Sequence, residues 1–172
     1  MSDTFAIRPL STDQGTINSL CSLLIDVVTA GGSVSFMHPL SDADARAFWT
    51  SALAAADRGS RVILGCFDGE RLVGTASLLL ECPPNQPHRA EIAKMMTSPS
   101  FRGKGIARRM LLELEQIARK HGRSLINLDT AAEDGGAEFY EIMGYTRGGV
   151  IPKYAYKPHG GLTDTIIYWK FL

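Results

Sequence analysis

The sequence predicts a mixed α/β fold, with a twisted, mostly antiparallel sheet of about seven strands, a parallel pair at its centre and about four flanking helices. Two observations predict it. Strand-like and helix-like segments follow one another as strand, two helices, three strands, helix, strand, helix and two strands. A long helix lies between the fourth and fifth strands, and a connection of that kind joins parallel neighbours.

Length and composition are those of one globular domain, which we expect to span residues 1–172. The formal net charge is zero, which argues against a protein dedicated to nucleic acids or anionic membranes. The three cysteines and four histidines show no metal-ligand spacing. Residues 1–4 lack a signal-peptide pattern and no apolar run reaches membrane length, so we expect a cytoplasmic protein with reduced thiols.

The helices are predicted from capping residues and from apolar residues at helical spacing. Ser11 or Thr12 can cap the first helix and Ser41 the second, because a side-chain oxygen satisfies N–H groups of the first turn. Glycines follow the expected helix ends. The third helix has the most regular apolar face, made of Ile106, Met110, Leu114 and Ile117.

The strands are predicted from apolar or alternating runs bounded by turn residues. Asp68-Gly69 favours a hairpin between the second and third strands. In chain order we predict a strand at 5–10, helices from about 13 to 30 and at 42–58, strands at 61–67, 70–81 and 89–97, a helix at 105–121, a strand at 124–130, a short helix ending at Gly144, and strands at 145–150 and 163–171.

Residues 98–107, Ser-Pro-Ser-Phe-Arg-Gly-Lys-Gly-Ile-Ala, join a strand to the start of the third helix. Uncovered backbone N–H groups at the positive end of a helix favour an anion. The turn is not a Walker loop, because no Ser or Thr follows its Gly-Lys, and Arg108 replaces the last glycine of a dinucleotide fingerprint. The alternative is a structural turn with solvated basic side chains.

Arg102-x-x-Gly105-x-Ala107 resembles the acetyl-CoA-binding motif of the GCN5-related N-acetyltransferase (GNAT) family, and the element order matches that family along nearly the whole chain. The sequence departs from the family at Glu133, where Asn is common, and at Gly136, where Ala is common. The resemblance implies acetyl-CoA as co-substrate and no metal. It implies acetyl-CoA contacts from Met95, Met96, Thr97, Arg102, Gly103, Lys104, Gly105, Ile106, Ala107 and Arg108.

Acyl transfer from a thioester to an amine requires a base for the amine, donors for the oxyanion and an acid for the leaving thiolate. The Phe139-Tyr140 pair of the family's late helix makes Tyr140 the candidate acid. Glu91 and Asp129 are candidate bases, because alternation and strand order can point both at one gap in the sheet. By alternation Glu91 would share its face with Ala93, Met95 and Thr97. The alternative is that both carboxylates are solvated or ion-paired.

Phe36, Met37 and Tyr154 are expected to line an acceptor pocket from loops. Blocks at 31–37, 89–91 and 128–130, with two later ones, resemble GNAT enzymes that acetylate a small amino-acid-like toxin. We therefore expect direct acetyl transfer to a primary amine of a small polar acceptor, by a monomer or homodimer without nucleic-acid or membrane partners. Acetylation of a protein N-terminus or lysine, and a non-catalytic CoA-binding module, are the alternatives.

Overall fold

The computed structural model describes residues 5–172, which form a seven-stranded sheet in the order β1-β2-β3-β4-β5-β7-β6. The expectation drawn from residues 1–4 lies outside the described residues. Among the strand pairs of residues 5–172, only β4–β5 is parallel, as predicted. The strands are β1 (Ala6–Pro9), β2 (Arg61–Asp68), β3 (Arg71–Leu79), β4 (Arg89–Thr97), β5 (Leu125–Ala131), β6 (Thr146–Tyr156) and β7 (Leu162–Phe171).

The helices are α1 (Gln14–Thr29), α2 (Asp42–Asp57), α3 (Ile106–Lys120) and α4 (Gly136–Ile142), and a single 3-10 turn at Pro99–Phe101 precedes α3. Ser41 caps α2 as predicted. The predicted cap of α1 is wrong, because Asp13 occupies that position instead of Ser11 or Thr12. Its carboxylate accepts hydrogen bonds from both the backbone N–H and the hydroxyl of Thr16, at 2.8 and 2.6 Å. These bonds lower the pKa of Asp13.

Apolar side chains form one core on each face of the sheet. Helices α1 and α2 cover one face, where Leu24 and Trp49 are fully buried. Helix α3 covers the other face together with α4, and there Met110 and Leu114 are fully buried. Gly74 of β3 lets α3 approach the sheet closely, because a β-carbon there would lie 2.9 Å from Cγ2 of Ile106. The start of α3 is therefore fixed against the sheet.

The parallel strands β4 and β5 pair only at one end. Their register joins Arg89 to Leu125 and Glu91 to Asn127, and both strands continue beyond that point without pairing to each other. The two strands therefore diverge just after Glu91. The gap leaves backbone groups of the second half of β4 available on its β5 side.

A bulge in β4 overturns the predicted face of Glu91. Lys94 adopts a left-handed backbone with φ of +53°, and the pairing with β3 shifts register at this point. Met95 consequently packs with Ile92 against the α3–α4 core, whereas Met96 enters the α1–α2 core. One extra residue reverses the alternation, so Glu91 does not share a face with Met95 and Thr97.

Strand β6 is longer than the predicted 145–150 and includes Tyr154, which is expected in a loop. It pairs with β7 through two irregularities and carries a second left-handed lysine, Lys153, with φ of +51°. Pro152 lies within it and is tolerated, because β6 is an edge strand and needs ladder bonds on one side only.

Candidate active site

Two clefts flank the diverging ends of β4 and β5. The first, which we call the helix cleft, has a volume of about 470 Å³ and runs along β4 to the turn before α3. The second, the loop cleft, has a volume of about 740 Å³ and lies between the loop after α1 and strands β4 to β7. The two clefts meet, since both are lined by Ser33, Val34, Met95, Thr130 and Tyr140.

The turn before α3 has the geometry that an anion requires. Gly103 and Gly105 have φ of +77° and +76°, and a β-carbon at either would meet nothing within 4 Å. The backbone N–H groups of Ile106, Ala107 and Arg108 have no hydrogen-bond partner among residues 5–172. The first turn of α3 carries no acidic residue. Such a helix end binds a phosphate group favourably, so the residues fit the pyrophosphate of CoA.

The ten predicted acetyl-CoA contacts are distributed unevenly. Met95, Met96, Thr97, Arg102 and Ala107 line the helix cleft. The other five belong to the turn or to the first turn of α3, and the side chain of one of them, Ile106, is 2% exposed in the core. The Lys104 ammonium lies 4.9 Å from the Phe101 ring centroid.

Tyr140 stands where the two clefts meet. It is 6% exposed, and its hydroxyl has no hydrogen-bond partner within the described chain. Its ring packs against Phe139, Tyr145 and Tyr168, with centroids 5.0 to 5.8 Å apart. Burial, with a smaller contribution from the charge of Asp129, raises the pKa of Tyr140 to about 12. The hydroxyl therefore keeps its proton at neutral pH.

Both candidate carboxylates line the loop cleft with Tyr140. The Glu91 carboxylate lies 3.5 Å from the guanidinium of Arg89, which also donates to Asn127. Asp129 accepts a 2.7 Å hydrogen bond at Oδ2 from the hydroxyl of Thr165 on β7. The structure thus brings together the three residues that the sequence indicates for proton transfer.

Phe36, Met37 and Tyr154 also line the loop cleft. The Phe36 ring packs edge-on against Phe48 at 5.2 Å, whereas Met37 and Tyr154 are 49% and 56% exposed. Backbone hydrogen bonding from His38 N–H to the Pro158 carbonyl, at 2.9 Å, ties this loop to the β6–β7 connection. The loop is thereby held over the cleft.

The residues that depart from the family pattern have structural partners. Glu133 forms a 2.7 Å ion pair with Lys157. A β-carbon at Gly136 would lie 2.5 Å from Oγ1 of Thr130, so the glycine accommodates that hydroxyl. A second link between loops is the 3.0 Å hydrogen bond from Ser33 N–H to Asp134.

The sequence gives no indication of three polar residues in the loop cleft, Lys94, Ser35 and Thr165. The Lys94 ammonium donates a 2.8 Å hydrogen bond to the hydroxyl of Ser35. The position of Lys94 depends on the bulge in β4, which cannot be detected from the alternation of apolar and polar residues in the sequence. Thr165 can be placed only when the register of β5 with β7 is known.

No helix among residues 5–172 is long and apolar enough to cross a membrane. Within the same range, no three His, Cys, Asp or Glu side chains are grouped so that they could hold a metal ion.

Residues 28–145 match the acetyltransferase (GNAT) family. This match covers more than half of the 172 residues, and the chain belongs to that family. The resemblance seen in the glycine-rich turn is thus confirmed at the level of the family. The protein is therefore an acetyltransferase of this family.

The chain is also similar to individual acetyltransferases, in sequence and in structure. An uncharacterised N-acetyltransferase encoded between hisH and hisA in Azospirillum brasilense is 29% identical over 131 residues, 75% of this chain and 76% of that protein. An N-acetyltransferase from Staphylococcus aureus Mu50 has a TM-score of 0.81 at 19% identity, over 98% of both chains. The protein yncA from Salmonella typhimurium, solved with its cofactor acetyl-CoA, has a TM-score of 0.78 at 17% identity, over 98% of this chain and 94% of that one. These structures confirm the predicted fold class.

Proposed function

We propose that the protein transfers the acetyl group of acetyl-CoA to a primary amine of a small polar acceptor, in one direct step within a ternary complex. The observation that carries the proposal is that the helix cleft and the loop cleft meet at Tyr140. A donor lying in one cleft and an acceptor lying in the other would have their reacting atoms side by side there.

Acetyl-CoA would lie in the helix cleft. Its pyrophosphate would take the N–H groups at the start of α3 and the turn of Arg102 to Arg108. The backbone of Met95 to Thr97, which is unpaired on the side facing β5, would bond the pantetheine arm and the acetyl carbonyl. Two observations support this placement. Gly103 and Gly105 adopt left-handed backbone with open space beside them, and the first turn of α3 carries no acidic residue.

The protein supplies the proton transfers. As the new bond between the amine nitrogen and the acetyl carbon forms, a proton leaves the amine for the carboxylate of Glu91 or Asp129, directly or through water. Thr165 holds Oδ2 of Asp129 and thereby orients its other oxygen. As the bond between carbon and sulfur breaks, the neutral Tyr140 hydroxyl donates its proton to the sulfur.

The acceptor is a small molecule in this proposal. A cleft of about 740 Å³ lies within the range of roughly 300–1,000 Å³ seen for small-molecule sites. The loop of Phe36 and Met37, tied to the β6–β7 connection, walls it on one side. Five short blocks of sequence resemble the tabtoxin resistance protein, so an amino-acid-like toxin or antibiotic is the favoured class.

All the residues invoked belong to one chain, so the proposal holds for a monomer and for a homodimer. It treats residues 1–172 as a single N-acetyltransferase domain. The cytoplasm is the proposed compartment, because Cys21, Cys66 and Cys82 are all free thiols. Burial raises the pKa of Cys21 and of Cys66, which makes both thiols poor nucleophiles and agrees with direct transfer.

The test is an acceptor panel of amino acids, amines, amino sugars and peptides, read by thiol release from acetyl-CoA and by mass spectrometry of the products. We expect N-acetylated small molecules as the best products. Efficient acetylation of peptides or intact proteins alone would favour the alternative acceptor class. Tight acetyl-CoA binding with no thiol release for any amine would point to a non-catalytic module.

A further inference from the structure

Lys94 is an unusual residue in the centre of the fold. It lies in the bulge of β4 with φ of +53°, a conformation that is rare and costly for a side chain of this size. Its side chain lines the loop cleft. At this position β4 has already separated from β5, because the pairing of the two strands ends at Glu91. Strain of this kind persists only where the surrounding structure enforces it, and it concentrates at functional sites.

The Lys94 ammonium has few partners. It donates one hydrogen bond to Ser35 and lies 5.7 Å from the ring centroid of Phe48. It forms no ion pair with any carboxylate of residues 5–172. An ammonium has three donors, so Lys94 retains hydrogen-bonding capacity toward the cleft.

Lys94 lines the same cleft as two side chains of opposite charge, Glu91 and Asp129. Burial lowers the pKa of Lys94, and the positive charge of Arg61 lowers it further. The negative charges of Asp129 and Glu91 act in the opposite direction. The cleft therefore offers a cation beside Ser35, and carboxylates beside Tyr140 on strands β4 and β5. A ligand with an ammonium at one end and an anion at the other matches this arrangement.

The geometry points to Lys94, with Ser35, as the site that binds the carboxylate of an amino-acid acceptor while its amine faces Glu91, Asp129 and Tyr140. This inference rests on the proposed function, because it names the acceptor class of the same site. It makes Lys94 a specificity-determining residue that takes no part in moving protons. Ser35 contributes a hydroxyl that can donate to the carboxylate while it accepts from Lys94.

The experiment compares the twenty L-amino acids with their amides and with their decarboxylated amines as acceptors. We expect kcat/KM for the best amino acid to exceed that for its amide and amine at least tenfold. Lys94→Met should lower kcat/KM for the amino acid by about 10- to 100-fold, mainly by raising KM. The kcat/KM for the decarboxylated amine and the Kd for acetyl-CoA should stay unchanged. Lys94→Arg should retain most of the preference.

Lys153→Met is the matched control, because Lys153 is also a left-handed lysine but lines neither cleft, and it should behave as wild type. Equal use of the acid, amide and amine, or an equal loss for all three in Lys94→Met, would overturn the inference. So would a strong preference for glucosamine 6-phosphate over every amino acid, since the anion recognised would then be a phosphate.

Binding separates this inference from the proposed function. Calorimetric titration of amino acids into the complex with CoA requires no turnover. If no amine is acetylated but amino acids bind with a dependence on Lys94, the proposed function fails and the acceptor site stands. If amines are acetylated without preference for a carboxylate, the proposed function stands and the site at Lys94 is refuted. Absence of both binding and preference also refutes it.

Discussion

Gly105→Glu tests where CoA lies. The new carboxylate would stand at the start of α3, where the pyrophosphate is proposed to bind. Two like charges about 5 Å apart cost about 3 kcal/mol at an effective dielectric constant near 20. Since about 1.4 kcal/mol is a factor of ten in Kd, acetyl-CoA should bind at least roughly 100-fold more weakly.

The same substitution at the other end of α3 provides the control. Gly122 has φ of +69° and, like Gly105, open space where a β-carbon would be. Both variants pay about 1–2 kcal/mol for a left-handed residue with a side chain. For a chain of this size each kcal/mol lowers Tm by about 2–4 °C. The helix dipole favours the negative charge only at position 105, so Gly105→Glu should be no less stable than Gly122→Glu.

The assays are calorimetric binding of acetyl-CoA and thermal unfolding of both variants. We expect a similar, small loss of Tm in each, and weakened binding in Gly105→Glu alone. Wild-type affinity in Gly105→Glu would refute the placement of the pyrophosphate. Equal loss of affinity in the two variants would show that the effect comes from strain in α3.

Two further predictions concern the ionisation of Tyr140 and the buried ion pair between Lys170 and Glu115. The ionisation of Tyr140 can be isolated by spectrophotometric titration after a rapid pH jump, as the difference between wild type and Tyr140→Phe. We expect a single transition at a pKa of about 12, because burial keeps the phenol neutral above its ordinary pKa. A difference transition at pH 10 would contradict this. Lys170 donates hydrogen bonds to Glu115 and to the Met143 carbonyl at the end of α4, both at 2.9 Å. Lys170→Met should lower the free energy of unfolding by about 3–5 kcal/mol, because it leaves the buried Glu115 carboxylate without its partner. In urea unfolding, Glu115→Leu combined with Lys170→Met should recover most of that loss, and a loss below about 1 kcal/mol in Lys170→Met alone would show that the pair is not coupled.

The sequence predicted the elements that carry strong local signals. The apolar face of α3, the hairpin at Asp68-Gly69 and the Ser41 cap each follow from a short pattern, and together with the crossover they determine the sheet. Strand order also predicted that Glu91 and Asp129 could face one gap in the sheet, and both line the loop cleft close to the point where β4 and β5 separate. Tyr140 was identified from its resemblance to the late helix of the family, and it lines the same cleft.

The features that were missed depend on geometry that single residues do not reveal. A lysine gives no sign that it will adopt a left-handed backbone, so the bulge at Lys94 and the reversed faces of Met95 and Met96 could not be foreseen. Strand β6 continues through Pro152 because it is an edge strand, which is a property of the sheet. Asp13 displaces the neighbouring hydroxyls as cap because its carboxylate can accept two hydrogen bonds at once.

The role of Tyr140 as the acid is tested most directly by the rate of acetyl transfer in a single turnover by Tyr140→Phe, measured by rapid quench with saturating acetyl-CoA and acceptor. We expect a rate about 10²- to 10⁴-fold below wild type, the usual contribution of a positioned acid, with an unchanged Kd for acetyl-CoA. Tyr145→Phe is the control, because that ring lies 5.7 Å away but lines neither cleft, and it should react at nearly the wild-type rate. Equal rates for Tyr140→Phe and wild type would contradict the claim that chemistry occurs at the junction of the two clefts with Tyr140 as its acid.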